Sequence, residues 1–269
     1  MASDRRLSSY DRRSGQTKPL TDDRNKTIVF CNHFHIGYTG LANVEGRRTD
    51  EWIAERLASV PSAQDGFVTL TDEATRAFRP LPSDIRGHAF LSVGWARTQP
   101  SSDLQPIVIL ISNNLDERWQ WLGHTEERFT RRSWGLPRTS EGQLRWVGRG
   151  ITTEEAEQHY QYLKGHAQRG GDARGAAFLL ANFIRSVARR DSAVGNGILL
   201  SLLSKSAVGQ PVSTSLTASS GPMDEHNCWY LPADDTRNNP VQYSPTYVCE
   251  GLLLARGEVW TTKPPWWRH

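Results

Sequence analysis

The chain has 269 residues, of which 37% are apolar, and it carries 32 basic against 29 acidic residues. This length can bury a sizeable core without disulfides or metals, and the near-balance of charge lacks the basic excess typical of nucleic-acid-binding proteins. The three cysteines are an odd number without a CxxC pair, which argues against a disulfide framework or a thiolate zinc site. The polar N-terminus has no signal-peptide core, and no apolar run reaches membrane-spanning length. We therefore expect a cytoplasmic protein with no membrane partner and no nucleic-acid partner.

The first part of the chain predicts strands. Residues 7–25 are polar, with several Ser, Asp and Arg residues, one Gly and one Pro, which predicts a loop. The β-branched and aromatic residues of 26–30 and 34–38 follow it, and a polar break separates the two runs. This pattern predicts a β-hairpin.

Two helices are predicted next. Thr49, followed by two acidic residues, is placed to cap the first helix, and Pro61 ends it. A shorter helix is predicted from Thr71 to just before Pro80. Further strands are then predicted at 89–96, 107–111, 127–132 and 143–147.

The second half begins with two stronger helices. Thr152 and Glu155 have the spacing of a capping box, and that helix extends to Gly170. Asp172 caps the next helix, whose apolar residues keep helical spacing up to about Asp191. Strands are predicted at 197–203 and 247–254. Between them, 205–245 is predicted to be a long loop insertion, and 261–269 a loosely held tail.

The order of these elements favours an α+β protein formed by 1–269 as a single domain. Clusters of hairpins alternate with pairs of helices, which is typical of antiparallel sheets with helices packed outside. A βαβα alternation is absent, so a doubly wound dinucleotide-binding fold is not expected.

The sequence indicates no cofactor and no metal. His33 and His35 are two positions apart and would face the same side of a strand, but no third ligand at a defined spacing accompanies them. Cys31 and Cys249 are expected to pack in strands as small apolar residues.

Three segments resemble proteasome β-type subunits and the bacterial proteasome-like peptidases, which are N-terminal nucleophile (Ntn) hydrolases. The segment 2–6 is similar to the end of the family's second strand, where an acidic residue precedes a basic one. The segment 25–41 is similar to the strand that carries the catalytic lysine, its hairpin and the glycine before the first helix. The segment 190–195 follows a long helix and precedes an apolar strand, as in the family.

The resemblance implies a four-layer αββα sandwich and a role for individual residues. Lys26 would be the catalytic lysine, Asp4 its carboxylate partner, and Asp191 the support of the nucleophile's amine. Gly40 would supply the oxyanion N–H. In that family the side-chain oxygen or sulfur of the N-terminal residue attacks an amide carbonyl, so the substrate would be a peptide or another amide. The positions that would line the substrate pocket are Tyr38 and Ala42.

Two departures from the family matter. Val194 stands where the family usually has a serine. The resemblance also places the family's first strand and its nucleophile ahead of Met1, so residues 1–269 by themselves are expected to be inactive. The sequence therefore leaves two hypotheses open: an Ntn amide hydrolase whose nucleophile lies upstream, and a non-catalytic scaffold or ring-forming subunit of the same fold. In both cases we expect a homo-oligomer.

Overall fold

The computed structural model describes residues 1–11, 13, 16–21, 24–31, 33–97, 102–135, 144–148, 151–203, 208, 228–233, 241–243, 246–249, 252–255 and 259–260. Over these residues the protein is mixed α/β, with five helices, two larger sheets and two short hairpin sheets. None of the described helices is both long enough and apolar enough to cross a membrane.

The elements follow one another in a simple order, with strands at both ends and helices in two groups. The helices are α1 Thr49–Ala58, α2 Ala63–Phe78, α3 Ser83–Arg86, α4 Thr153–Gln168 and α5 Ala173–Ala188. The strands before α4 are β1 Ala2–Asp4, β2 Leu7–Asp11, β3 Gln16–Thr21, β4 Thr27–Phe30, β5 Phe34–Thr39, β6 Asn43–Val44, β7 Arg47–Arg48, β8 Ala89–Ala96, β9 Gln105–Ser112 and β10 Thr130–Gly135. The strands after α5 are β11 Ile198–Ser201, β12 Cys228–Leu231, β13 Val241–Tyr243, β14 Thr246–Cys249, β15 Leu252–Ala255 and β16 Val259–Trp260.

The larger sheet has seven strands in the order β10-β9-β8-β5-β4-β14-β15. Its neighbours pair antiparallel except β4 and β14, which are parallel. Alternate residues of the central strands, such as Ile28, Phe30 and Ile36, point to one face and meet α1 and α2 there. Trp52 of α1 and Phe78 of α2 are fully buried against this face. The main hydrophobic core therefore lies between this sheet and the first pair of helices.

The second sheet has five strands in the order β1-β11-β12-β13-β16. Ala177 and Ala181 of α5 pack against Ile198 and Leu200 of β11. α4 lies against α5, and the small cluster around Phe183 lies at that contact. A second core thus joins α5 to the sheet that contains the N-terminal strand.

β1 lies against the seven-stranded sheet. The hydroxyls of Ser3 and Thr27 are 3.0 Å apart and share a hydrogen bond, and a Cβ added at Gly37 would lie 3.2 Å from the sulfur of Met1. Farther along, the indole N–H of Trp95 donates to the carbonyl of Leu203 at 3.1 Å. The contacts of Met1 and Ser3 place the start of the chain beside the β4–β5 hairpin, and the contact of Trp95 joins β8 to the residues that follow β11.

Several predicted elements are confirmed. The hairpin of 26–30 and 34–38 forms as β4 and β5, and strands form at 89–96 and around 107–111. Both side-chain caps of the later helices are present. Thr152 and Glu155 make the reciprocal hydrogen bonds of a capping box, and Asp172 accepts from the N–H of Gly175.

Other predictions were wrong. The expected loop at 7–25 contains the β2–β3 hairpin. Thr49 is the first residue of α1 rather than its cap; Arg48 is the N-cap, and the Thr49 hydroxyl donates to the carbonyl of Leu41 at 2.6 Å. α2 begins at Ala63, capped by Ser62, eight positions before the expected start.

The remaining corrections concern the later strands. The strand expected at 127–132 is shifted to 130–135, and the described residues 144–147 form no strand. The strand expected at 247–254 is a hairpin of β14 and β15. β12 and β13 form within the predicted insertion 205–245, most of which lies outside the described residues, as does the tail 261–269.

Candidate functional site

Asp4 is the last residue of β1, and its carboxylate joins three segments of the chain. Its Oδ1 accepts hydrogen bonds from the backbone N–H groups of Arg6 at 2.8 Å and Gly195 at 3.3 Å. The ammonium of Lys26 donates to both carboxylate oxygens, at 3.1 and 3.2 Å. The structure therefore brings together two of the predicted catalytic residues, which are 22 positions apart.

The ion pair of Lys26 and Asp4 lies at the surface but is largely covered. The side chains are 18% and 19% exposed, respectively. Partial burial weakens solvent screening, so such a pair fixes the ammonium in place more firmly than a pair in open solvent does. Lys26 directly precedes β4, which holds its backbone beside β1.

The turn that follows α5 forms the third side of this site. Asp191 begins it: its carboxylate Oδ1 accepts the N–H of Ala193 at 2.9 Å, and its carbonyl accepts the N–H of Val194 at 3.0 Å. The guanidinium of Arg6 donates to the carbonyls of Ser192 and Val194, at 3.3 and 3.2 Å. Asp191 thus shapes the turn whose next residues contact Asp4 and Arg6, and its role toward an amine stays a prediction.

The end of α5 holds this turn in place. Arg190 forms an ion pair with Glu155 of the α4 capping box. Within α5, the guanidinium of Arg185 donates to the carbonyls of Asn196 and Pro232, at 3.2 and 2.9 Å. The turn is therefore tied to both helices and to the end of β12.

Gly40 lies at the same end of the β4–β5 hairpin as Lys26. The described register pairs Thr27 with Gly37, so the next step toward the open end sets Lys26 opposite Tyr38. Gly40 follows two residues later, is exposed, and has a φ of 109°, a conformation that favours glycine. The predicted oxyanion residue and the predicted catalytic lysine thus lie at one edge of the molecule, the open end of the β4–β5 hairpin.

The predicted pocket residues lie beside this edge. Tyr38 is 7% exposed, packs in the main core, and donates its hydroxyl to the carbonyl of Asn25 at 2.9 Å. Ala42 is half-buried, and its carbonyl accepts the N–H of Thr49 at 3.0 Å. A side-chain hydrogen bond fixes Tyr38 and a backbone hydrogen bond fixes Ala42, and their role in a substrate pocket stays a prediction.

His88 is a residue of this region that the sequence analysis did not single out. It directly precedes β8 and is fully buried. Its Nδ1 accepts the backbone N–H of Leu41 at 3.2 Å. Burial lowers the pKa of its imidazole to about 3, so the ring is neutral at physiological pH. In the sequence, His88 stands between a glycine and the apolar residues of β8. Nothing in these neighbours indicates a hydrogen bond to Leu41.

Among the described residues, no three His, Cys, Asp or Glu side chains are grouped as metal ligands. Comparison with known protein families finds no family model that matches the chain, and comparison with curated proteins finds no matching sequence.

Proposed function

We propose that the protein is a relative of the proteasome-type Ntn hydrolases, and that the edge around Asp4 and Lys26 is its site for cleaving a peptide or another amide bond. The observation that carries this proposal is the two-oxygen contact of the Lys26 ammonium with the Asp4 carboxylate. The resemblance assigns these two residues to the catalytic lysine and its carboxylate partner. The proposal includes no cofactor and no metal.

The proposed architecture is the four-layer αββα sandwich of that family. Two features support it. α1 and α2 cover one face of the seven-stranded sheet, and α5, which α4 contacts, packs on the five-stranded sheet. The hydrogen bond between Ser3 and Thr27 lies where the two sheets approach each other.

In this proposal Lys26 activates the nucleophile by its charge. A fixed ammonium beside a hydroxyl or thiol stabilises the deprotonated form and so lowers the pKa of the nucleophile. Asp4 holds the ammonium in its orientation through both carboxylate oxygens. The nucleophile's own α-amine would accept the proton, since an α-amine titrates near neutral pH.

The proposed place of the nucleophile is a strand beside β1. Within the described part of the chain β1 lies at one end of the five-stranded sheet, with β11 on its other side. An edge strand offers backbone N–H and C=O groups to a further strand. A strand added there, which the resemblance places ahead of Met1, would run past the carboxylate of Asp4.

Gly40 and the turn at Asp191 complete the proposed site. The backbone N–H of Gly40 would stabilise the oxyanion that forms when the amide carbonyl is attacked. Asp191 would support the α-amine of the nucleophile. Val194 lacks the hydroxyl that the family usually offers to that amine, so one hydrogen bond would be missing.

The test is amide hydrolysis that depends on Lys26. Fluorogenic peptide amides are offered to residues 1–269 and to the longest protein that the reading frame encodes. Residues 1–269 should be inactive, because Met1 and Ala2 offer neither a hydroxyl nor a thiol. A longer form that matures to an N-terminal Thr, Ser or Cys should be active, and Lys26→Ala should lower its kcat/KM by about 10²–10⁴.

The matched control is Lys18→Ala, which removes an exposed lysine from the β2–β3 hairpin and should leave activity unchanged. Robust hydrolysis by residues 1–269, or a longer form that is indifferent to Lys26→Ala, would overturn the mechanism.

A non-catalytic scaffold of the same fold is the second candidate. The carboxylate of Asp4 accepts from two backbone N–H groups as well as from Lys26, which is also what a purely structural clip requires. A reading frame that encodes no strand ahead of Met1 would favour this candidate.

A further inference from the structure

The turn at Gly40 and Leu41 lies directly on the imidazole of His88. A Cβ added at Gly40 would lie 2.2 Å from Nδ1 of His88 and 3.0 Å from the carbonyl oxygen of Gly87, so only glycine fits. The adjacent N–H of Leu41 donates to the same Nδ1 at 3.2 Å. One ring atom therefore limits the residue at position 40 and orients the peptide that follows it.

His88 is itself held firmly. Its backbone N–H donates to the side-chain Oδ1 of Asn113 at 3.0 Å. Its ring is stacked on Tyr38 at 6.1 Å, and the rings of Phe78 and Phe90 lie at 4.7 Å. Because the backbone is hydrogen-bonded and three aromatic rings contact the imidazole, Nδ1 has a defined position relative to the end of β5.

The hydrogen bonds of the His88 ring indicate that Nδ1 is the atom for which a histidine is needed at this position. The accepted hydrogen bond requires an unprotonated Nδ1, so the proton of the neutral ring is on Nε2. Nε2 is buried and has no hydrogen-bond partner among the described residues, which is costly for a donor. A phenylalanine would fill the same aromatic surroundings without that cost. The one contact that phenylalanine could not make is the hydrogen bond to Leu41.

We propose that His88 is a positioning residue: its neutral Nδ1 holds the Gly40–Leu41 turn in the conformation that presents the Gly40 N–H at the edge where Lys26 lies. This inference rests on the function proposed above, in which that N–H stabilises the oxyanion. It assigns to a buried histidine, which contacts the Gly40–Leu41 turn directly, the task of orienting the backbone N–H that stabilises the oxyanion.

The test compares two substitutions of His88. His88→Asn keeps an acceptor, because Oδ1 of asparagine occupies about the place of Nδ1. His88→Phe keeps the ring and loses the acceptor. Phe129→Leu serves as the packing control, since Phe129 is buried in the same core and contacts Phe78 and Phe90. All variants are measured at a temperature at which circular dichroism shows them folded.

Two readouts separate positioning from simple stability. The first is hydrogen exchange of the Leu41 amide in residues 1–269, which should be at least about tenfold faster in His88→Phe and close to wild type in His88→Asn. The second is hydrolysis by the nucleophile-bearing form. There His88→Phe should lower kcat by about 10²–10³, the effect of losing one oxyanion donor, with KM within twofold. His88→Asn should recover most of the rate, and Phe129→Leu should change neither constant.

The outcomes are distinct. An active protein whose kcat is unchanged in His88→Phe would overturn the positioning role and leave the proposed function standing. Equal losses of kcat in His88→Phe and Phe129→Leu would also overturn it, because packing alone would then account for the loss. If no form of the protein hydrolyses amides, the proposed function fails and the catalytic role of His88 falls with it, while amide exchange still reports the contact with Leu41.

Discussion

The carboxylate of Asp4 accepts a hydrogen bond from the backbone N–H of Gly195 at 3.3 Å, across 191 positions of the chain. The same oxygen contacts the ammonium of Lys26. A single side chain thus connects the first strand, the approach to β4 and the turn after α5. Removal of this carboxylate should therefore weaken the contacts among all three segments.

We expect Asp4→Ala to lower the free energy of unfolding by about 2–3 kcal/mol, because it leaves a partly buried ammonium and two backbone N–H groups without their acceptor. Asp4→Asn keeps an acceptor oxygen and loses only the charge, so it should cost about 1 kcal/mol. Urea denaturation followed by circular dichroism measures both. Asp72→Ala, on the exposed side of α2, should stay within about 0.5 kcal/mol of wild type; equal effects of Asp4→Ala and Asp72→Ala would contradict the structural role.

Because His88 is buried, we expect the free energy of unfolding to depend on pH. Its pKa is lowered from 6.5 to about 3 by burial. Between these values the unfolded chain binds a proton that the folded protein does not. The free energy of unfolding should therefore fall as the pH drops from about 6.5 towards 3, by up to about 1.4 kcal/mol per pH unit from this group.

Denaturation of wild type and His88→Asn over this pH range isolates the contribution, since the other titrating groups are common to both. The wild type should lose stability more steeply on acidification, and the two slopes should agree above about pH 7.5. Parallel curves throughout would show that His88 is not buried in its neutral form.

Two helical glycines should respond oppositely to alanine. A Cβ at Gly66 of α2 would lie 2.5 Å from Cζ of the buried Phe30, so Gly66→Ala should destabilise by about 1–3 kcal/mol through overpacking. A Cβ at Gly165 of α4 would meet only the guanidinium of Arg169 within 4 Å, at 3.1 Å for the nearest atom. Because that side chain is exposed and free to shift, Gly165→Ala should stabilise by about 0.5–1 kcal/mol. Thermal or urea unfolding of the two variants checks the signs, and a stabilising Gly66→Ala would contradict the packing of α2 on β4.

The protein should self-associate. Within the described residues β1 is at one end of its sheet, and such an edge pairs readily with other strands. We expect analytical ultracentrifugation at micromolar concentration to give a mass above the 30.3 kDa of one chain. A single species at the monomer mass over a wide concentration range would speak against both the oligomer and the ring-forming candidate.

Local signals in the sequence were enough to predict the elements with strong caps or strong alternation. Thr152, Asp172 and the β4–β5 hairpin are examples, because each depends on neighbouring residues alone. The start of α2 was missed because Gly66 interrupts the helical pattern, and the reason for that glycine is Phe30, which is close only in the folded protein. β2, β3, β12 and β13 have weak local patterns and depend on pairing with other strands.

In the candidate site, too, some contacts were predicted from the sequence and others were missed. The contact of Asp4 with Lys26 was predicted from the family resemblance of the segments 2–6 and 25–41, since no local rule places two such residues together. The proximity of Gly195 to Asp4 agrees with the matched order of segments. His88 was missed because its contact with Leu41 spans 47 positions, and burial of a histidine cannot be told from its immediate neighbours.

The pairing of β1 with β11 also means that, during translation, β1 is made long before its partner strand. Ser3 is opposite Leu199, so a ribosome that adds about 5–20 residues each second delivers β11 roughly 10–40 s after β1. The parallel partner of β4 is later still, at Thr246–Val248. For most of translation, therefore, the β4 edge that later pairs with β14 has no partner. This strand contains Ile28, Val29 and Phe30, which are fully buried in the folded protein. Yield in the cell should consequently depend on chaperones that shield this segment, even for variants whose final stability is unchanged.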